Sequence, residues 1–266
     1  MRVLFATSEA TPFIKSGGLA DVLGSLPKEM VKKGVESIVV LPKYQDMKLA
    51  DKIEYVTNFD IWVGWRKVYC GVFTYVLDGV RFYFIDNEQY FKRPGLYGYD
   101  DDNERFAYFD FAVLELISHL DLKPDILHLH DWQTAMIAML YKERYCYYEH
   151  YENIKIVFTI HNIAFQGKAD PNLLSELFGL DNYLYCRNDG CFNMMKAAIF
   201  YSDIVTTVSP TYAKEILTPE YGEGLQNILE MRKYDLYGIL NGVDYDVINP
   251  ATDPEIVKNY DINTVF

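Results

Sequence analysis

Short, β-branched apolar runs alternate along this chain with stretches in which apolar positions recur every three or four residues. The first pattern predicts strands at 2–7, 36–41, 125–130, 155–160, 204–208 and 237–240; the second predicts helices near 19–33, 104–120, 133–145, 190–201 and 210–217. Such alternation builds a parallel sheet, because each helical crossover returns the chain over a face of the sheet and covers it. The predicted fold class is α/β: a doubly wound, mostly parallel, Rossmann-like sheet with helices on both faces. Between about 52 and 86 the pattern changes. Val72-Phe73-Thr74-Tyr75-Val76 and Val80-Arg81-Phe82-Tyr83-Phe84 alternate with a period of two around Leu77-Asp78-Gly79, which predicts a small antiparallel insertion. No internal repeat or low-complexity linker is visible, so one doubly wound domain is the simplest partition.

Composition narrows the setting. Of 266 residues, 50% are hydrophobic, enough to bury a full core. The opening has only Val3-Leu4-Phe5-Ala6 before the polar Thr7-Ser8-Glu9, too short for the apolar stretch of a secretion signal, and no run reaches membrane-spanning length. A cytoplasmic location follows as the expectation. Cys70, Cys146, Cys186 and Cys191 show no C-x-x-C spacing and are expected as reduced thiols rather than a disulfide framework. A net charge of -13 opposes binding to nucleic acid or an anionic membrane, both of which need basic patches. It leaves a neutral polysaccharide open as partner. The chain's 23 Tyr offer flat faces suited to sugar rings, although Tyr and Phe chiefly fill cores; Tyr141, Tyr145, Tyr147, Tyr148 and Tyr151 also read as the end of an amphipathic helix and its loop.

Chemistry concentrates where strands give way to helices. Lys15-Ser16-Gly17-Gly18-Leu19-Ala20-Asp21 joins the first predicted strand to the first helix. Its glycines let a ligand approach the backbone, the first helical amides lack partners, and Lys15 adds a mobile cation, all of which favour an anion such as phosphate. The segment matches neither G-x-G-x-x-G nor G-x-x-x-x-G-K-[ST], and a Gly-Gly pair also serves as a plain turn. In a doubly wound sheet ligands gather at the carboxyl ends of the strands, where Glu9, Asp131 and His161 fall.

His128 and His130 share one face of a strand, with His161 as a third candidate, as in metal-dependent hydrolases. No carboxylate or cysteine partner has fitting spacing, so neither a metal nor another cofactor is expected. His119 and His150 have no motif context. No G-x-S-x-G nucleophile motif occurs, and Ser209-Pro210 reads as a helix N-cap followed by Pro at the first helical position. Asn241-Gly242-Val243-Asp244 reads as a tight turn, a sugar ligand, or both.

Ser8-Glu9 followed by Lys15-Ser16-Gly17-Gly18-Leu19-Ala20-Asp21-Val22 resembles the opening of bacterial glycogen synthases and plant starch synthases. Arg93-Pro94-Gly95, Asn103-Glu104-Arg105-Phe106, His128-Leu129-His130-Asp131-Trp132-Gln133, Thr159-Ile160-His161-Asn162 and Gln166-Gly167 continue the resemblance in order. Thr207-Val208-Ser209-Pro210-Thr211-Tyr212-Ala213 and Leu240-Asn241-Gly242-Val243-Asp244 extend it, over roughly residues 1–257 in all.

The resemblance implies the N-terminal half of a two-domain GT-B fold, with 1–245 as the glucan-acceptor domain. Residues 246–266, with Ala251-Thr252-Asp253-Pro254, would begin the linker to a C-terminal nucleotide-binding domain absent from this chain. The implied parent activity is retaining transfer of glucose from ADP-glucose to the nonreducing 4-hydroxyl of an α-1,4-glucan, as in glycogen synthesis; the isolated half is expected to be inactive. Implied partners are ADP-glucose, glycogen or maltooligosaccharide, and the second domain, with self-association of the open cleft face as a further expectation.

By the same resemblance, Lys15 and the Gly17 and Gly18 amides meet the diphosphate, and His161 contacts the donor glucose with its carbonyl near the anomeric carbon. Asn162 supports that turn, Asp21 and Asn241 join the donor side, and Glu9, Asp131 and Gln133 face the glucan. Lys15, Asp131 and His161 are the implied catalytic residues, without a metal. No carboxylate is an evident nucleophile, so front-face displacement fits better than a glycosidase-like pair. Two alternatives stay open: another GT-B sugar-nucleotide transferase, of sucrose or trehalose-phosphate type, and a non-catalytic glucan-binding module.

Overall fold

The computed structural model describes residues 1–180 and 184–264. Its strands are β1 (Arg2–Ala6), β2 (Glu36–Pro42), β3 (Glu54–Val63), β4 (Arg66–Leu77), β5 (Val80–Asp86), β6 (Ile126–His130), β7 (Lys155–Ile160), β8 (Lys168–Ala169), β9 (Arg187–Asn188), β10 (Cys191–Asn193), β11 (Ile204–Thr207) and β12 (Leu236–Gly238). Its helices are α1 (Gly18–Lys32), α2 (Glu88–Phe91), α3 (Asp102–His119), α4 (Met136–Glu143), α5 (Leu173–Phe178), α6 (Met194–Tyr201), α7 (Pro210–Glu215) and α8 (Gln226–Met231). One sheet runs in the order β12-β11-β7-β6-β1-β2-β5-β4-β3, and β8, β10 and β9 form a small second one. From β12 to β5 every neighbouring pair is parallel.

The period-two pattern explains why this sheet has two cores. Val3 and Phe5 of β1 pack with Leu19 and Leu23 of α1 on one face, while Leu4 and Ala6 join residues of α3, α4 and α6 on the other. The chain winds outward from β1 to β2 on one side, then crosses back to place β6 on the other side of β1. Connections leave β1 and β6 in opposite directions, and this switch point opens a crevice at their carboxyl ends.

The predicted strands appear within a residue or two of their expected limits. The expected helix at 133–145 is shorter: Trp132–Thr134 form a 3₁₀ turn and α4 begins at Met136, whose amide donates to buried Asp110 at 3.1 Å. The one expected at 190–201 starts at Met194, because the Asn193 side chain accepts from the Lys196 amide and sets the cap there. The antiparallel segment closes through Asp78 and Gly79, both with positive φ, as a two-residue hairpin requires. It is not set apart from the domain, for β5 pairs in parallel with β2 and buries Phe82 and Phe84 beneath α1. The insertion therefore extends the main sheet.

All four cysteines are free thiols. Among the described residues no helix is long and apolar enough to cross a membrane. Of the segment 246–266 read as the start of a linker, the described part, to residue 264, holds turns and bends without a helix or strand; 265–266 lie outside the described residues.

Candidate active site

A cavity of about 760 Å³ lies at the switch-point edge. Of the residues singled out from sequence, it brings together Glu9, Gly17, Gly18, Asp131, Gln133, His161, Asn162 and Asn241. Lys15 and Asp21 line an adjoining cavity of about 790 Å³, which shares Gly18 and Asn241 with the first.

Asp131 follows the last residue of β6 and takes φ 56 and ψ -175, a region that costs a side chain on the order of 1–3 kcal/mol. The turn brings its carboxylate across to the end of β7. Its Oδ1 accepts from the His161 amide at 2.8 Å and the Asn162 amide at 3.2 Å, while its own amide donates to Thr159 O at 3.0 Å. One carboxylate thus clasps two strand ends. Burial pushes this carboxyl up to about 7 and the nearby Glu9 charge acts in the same direction, against the two amide donors that pull it down.

Behind the clasp, three imidazoles share a pocket of low polarity. Nδ1 of His130 is 3.0 Å from Nε2 of His161, and Nε2 of His128 is 2.7 Å from Thr159 Oγ1, which in turn is 2.6 Å from Thr206 Oγ1. Burial lowers His128 to about 3 and His161 to about 4, and holds His130 well below the usual imidazole range, so all three are neutral at pH 7. Nε2 of His130 is buried without a partner. A buried unpaired N–H is rarer and costlier than an unpaired lone pair, so the proton of His130 sits on Nδ1 and is donated to His161. His161 then keeps its own proton on Nδ1, the nitrogen left for a ligand.

The glycine loop is occupied from within. Glu9 accepts from the Ser16 amide, from Ser16 Oγ at 3.1 Å and from the Gly17 amide at 3.3 Å, placing negative charge at the N-terminus of α1. Nζ of Lys15 is 2.7 Å from Asp21, but both side chains are about half exposed, so the pair is weak and readily exchanged for another anion. Gly18 has open space where a side chain would stand.

Several lining residues lie in none of the quoted motifs, Tyr97, Gly98, Asp102 and Phe165, while Trp132 and Val208 lie in quoted motifs but were given no role. Tyr97 OH and Ser8 Oγ are 2.7 Å apart, tying a loop of the cavity to the end of β1. The loop is held by two of the quoted motifs. Arg93 pairs with both oxygens of Asp101 at 2.6 and 2.7 Å, and fully buried Arg105 donates to the carbonyls of Tyr90 and Leu96 and pairs with Asp102. Those motifs were the available signal, since they flank Tyr97 and Gly98. Gln133 is buried with its Oε1 unpartnered, an acceptor awaiting a donor at the cavity wall.

For the metal reading, no group of three or more His, Cys, Asp or Glu that could hold an ion occurs among the described residues. The facing nitrogens of His130 and His161 are engaged with each other. The arrangement instead offers neutral imidazole and carboxamide groups beside carboxylates already engaged by amides, with the exposed Lys15 cation in the adjoining cavity, the chemistry of a polyhydroxyl ligand beside an anion.

A family model described as the starch synthase catalytic domain matches residues 2–231. The chain is 54% identical over 272 residues to a glycogen synthase of Clostridium botulinum (strain Eklund 17B / Type B), covering 100% of this chain and 57% of that protein. It is 51% identical to a glycogen synthase of Lactobacillus acidophilus, covering 98% and 56%. The catalytic domain of starch synthase IV from Arabidopsis thaliana, solved bound to ADP and acarbose, superposes with a TM-score of 0.90 at 36% identity, covering 99% of this chain and 56% of that one. The chain thus spans a little over half the length of the curated relatives it matches.

Proposed function

We propose, from the premise that this chain belongs to the starch synthase catalytic domain family, that it forms the acceptor-side wall of a retaining glucosyltransferase. The enzyme would move glucose from ADP-glucose to the nonreducing 4-hydroxyl of an α-1,4-glucan, in glycogen synthesis. The observation that carries the reading is the Asp131 clasp on His161 and Asn162: it fixes a neutral imidazole and a row of polar groups at the switch-point cavity. A solved relative holding ADP together with acarbose supports placing a nucleotide and an oligosaccharide side by side.

The chemistry follows from which groups are free. All three cavity carboxylates are engaged, Asp131 and Glu9 by backbone amides of neighbouring loops and Asp102 by Arg105 and the Gly98 and Tyr99 amides, so none is poised as a nucleophile. The acceptor hydroxyl therefore attacks the anomeric carbon on the side the phosphate leaves. The bond from that carbon to the phosphate oxygen breaks, the new glycosidic bond forms, and the hydroxyl proton passes to the departing phosphate. Lys15, exchanging Asp21 for phosphate, and the Gly18 amide stabilise the charge that develops, while the Gly17 amide, which donates to Glu9, stays with that carboxylate; no metal or other cofactor takes part.

Asn241 lines both cavities and Asp21 the second; in this reading both belong to the donor side, and Gln133 and Glu9 meet the glucan. In this reading the wall that grips the nucleotide comes from further sequence of the kind the longer relatives carry, beyond residues 1–245, in a GT-B arrangement. The exposed Leu240, Val247 and Ile248 would meet it, or a second copy when it is missing. The site of action is the cytoplasm.

The test is transfer of labelled glucose by the parent-length protein to maltotriose. ADP-glucose should yield labelled α-1,4-linked oligosaccharide, and His161→Ala should lower turnover about 100-fold or more. Transfer only to a different acceptor would favour another GT-B transferase. No transfer despite glucan binding would favour a binding module.

A further inference from the structure

The turn joining β3 to β4 stands at the free edge of the sheet, far along it from β1 and β6. Trp62 is 61% exposed, Trp65 83% and Tyr69 46%, and with Arg66 and Gln89 they line a shallow groove of about 550 Å³. Strand alternation accounts for the placement. Ile61 and Val63 enter the core shared with α3, which turns Trp62 to the opposite face, across from Lys67 on β4.

This tip is pinned. The Gly64 amide donates to Leu177 O at 2.9 Å, and with φ +58 any Cβ there would stand 2.0 Å from Glu176 O. The Tyr69 carbonyl accepts from Asn87 Nδ2 at 2.8 Å and from Tyr108 OH at 3.0 Å. Large apolar rings left to water on a fixed frame lose solvation free energy that a ligand recovers on covering them.

Charge selects the ligand. Arg66 is paired with Glu104 at 2.7 Å and Lys67 with Asp60 at 2.8 Å, so the groove is locally neutral although the chain carries -13. An anionic polymer finds no uncommitted cation there. A neutral polyhydroxyl chain can lay its C–H faces on the rings and its hydroxyls against the Gln89 carboxamide and the outer N–H groups of Arg66. The groove is also close to the cavity along α3: Asp102 lines the cavity, and Glu104, two residues on, holds Arg66 of the groove.

We propose that Trp62, Trp65 and Tyr69 form an auxiliary binding site for α-1,4-glucan outside the cleft, which holds a long polymer while its end occupies the cavity. The inference rests on the glucan reading of the cavity.

Native electrophoresis of the 266-residue chain through gels with and without glycogen tests it, alongside amide spectra of the chain with maltotriose. Glycogen should retard the native chain, and W62A/W65A should weaken that binding about fivefold or more while leaving the maltotriose response at His161 and the melting temperature unchanged. Tyr at both positions should restore most of the retardation, which separates ring stacking from any loss of fold. Equal retardation of native chain and W62A/W65A, with the His161 response intact, overturns the inference and leaves the cavity reading standing. Retardation lost in W62A/W65A without any response at His161 supports the auxiliary site and counts against the cavity reading. A fall in mass by light scattering in W62A/W65A with unchanged retardation would identify a protein contact instead and overturn the inference.

Discussion

Nδ1 of His130 stands 3.0 Å from Nε2 of His161, and this bond between two neutral rings at the ends of neighbouring strands decides which nitrogen of His161 a ligand meets. Long-range proton–nitrogen spectra of the chain between pH 6 and 8 should show His161 protonated on Nδ1. His130→Asn, which keeps an N–H near the original one, should preserve that tautomer, whereas His130→Leu should release it. A native His161 protonated on Nε2 would contradict the assignment.

His128 gives a pH dependence of defined sign. Its folded value is lowered to about 3, so below the ordinary 6.5 the unfolded chain takes up a proton that the fold refuses, and stability falls as pH drops through that window. Between pH 6 and 4 the native chain should lose about 1.4 kcal/mol per pH unit more than H128Q, whose carboxamide can still meet Thr159. Parallel stability curves for the two would rule this out.

Asp131 has the opposite sign. With its carboxyl raised to about 7, the fold holds a proton that the unfolded chain releases above the ordinary carboxylate range, so this residue costs stability as pH rises towards 7. Asp131→Asn keeps an acceptor for the His161 and Asn162 amides and tolerates the positive φ, and should be no less stable than the native chain at pH 7. Asp131→Ala strands both amides and should cost about 2–4 kcal/mol by urea unfolding. Equal stability of the two variants would show that the clasp is not holding the strand ends.

Lys15 separates stability from function. Because its pair with Asp21 is half exposed, Lys15→Ala should change stability by less than about 0.5 kcal/mol. In the parent-length enzyme the same change should cut kcat/KM for ADP-glucose about 100-fold while glucan binding persists. An unchanged kcat/KM would remove Lys15 from the donor site.

Much of this was legible in the sequence because it rests on local order. β1, β6 and β7 are short apolar runs ending at Ala6, His130 and Ile160, and the residues just past such ends must meet at one edge of a parallel sheet. Glu9, Asp131 and His161 were found that way. What escaped was non-local. The pairing of β5 with β2 depends on Phe82 and Phe84 finding the α1 face, which the alternation of β5 does not specify. Tyr97 sits in a loop without periodicity, and its place at the cavity depends on Arg93 and Arg105 bonding to carbonyls and carboxylates around it. That Glu9 fills the amides of the glycine loop depends on the turn after β1, which no spacing rule encodes.

The most direct measurement is titration of the 266-residue chain with maltotriose, followed residue by residue in proton–nitrogen amide spectra. The account predicts saturable shifts, with a dissociation constant on the order of millimolar, at Asp131, Gln133, His161 and Asn162, and their loss in Gln133→Ala with the fold retained. Shifts confined to other parts of the surface, or none up to the solubility of the sugar, would contradict the assignment of this cavity as a glucan site.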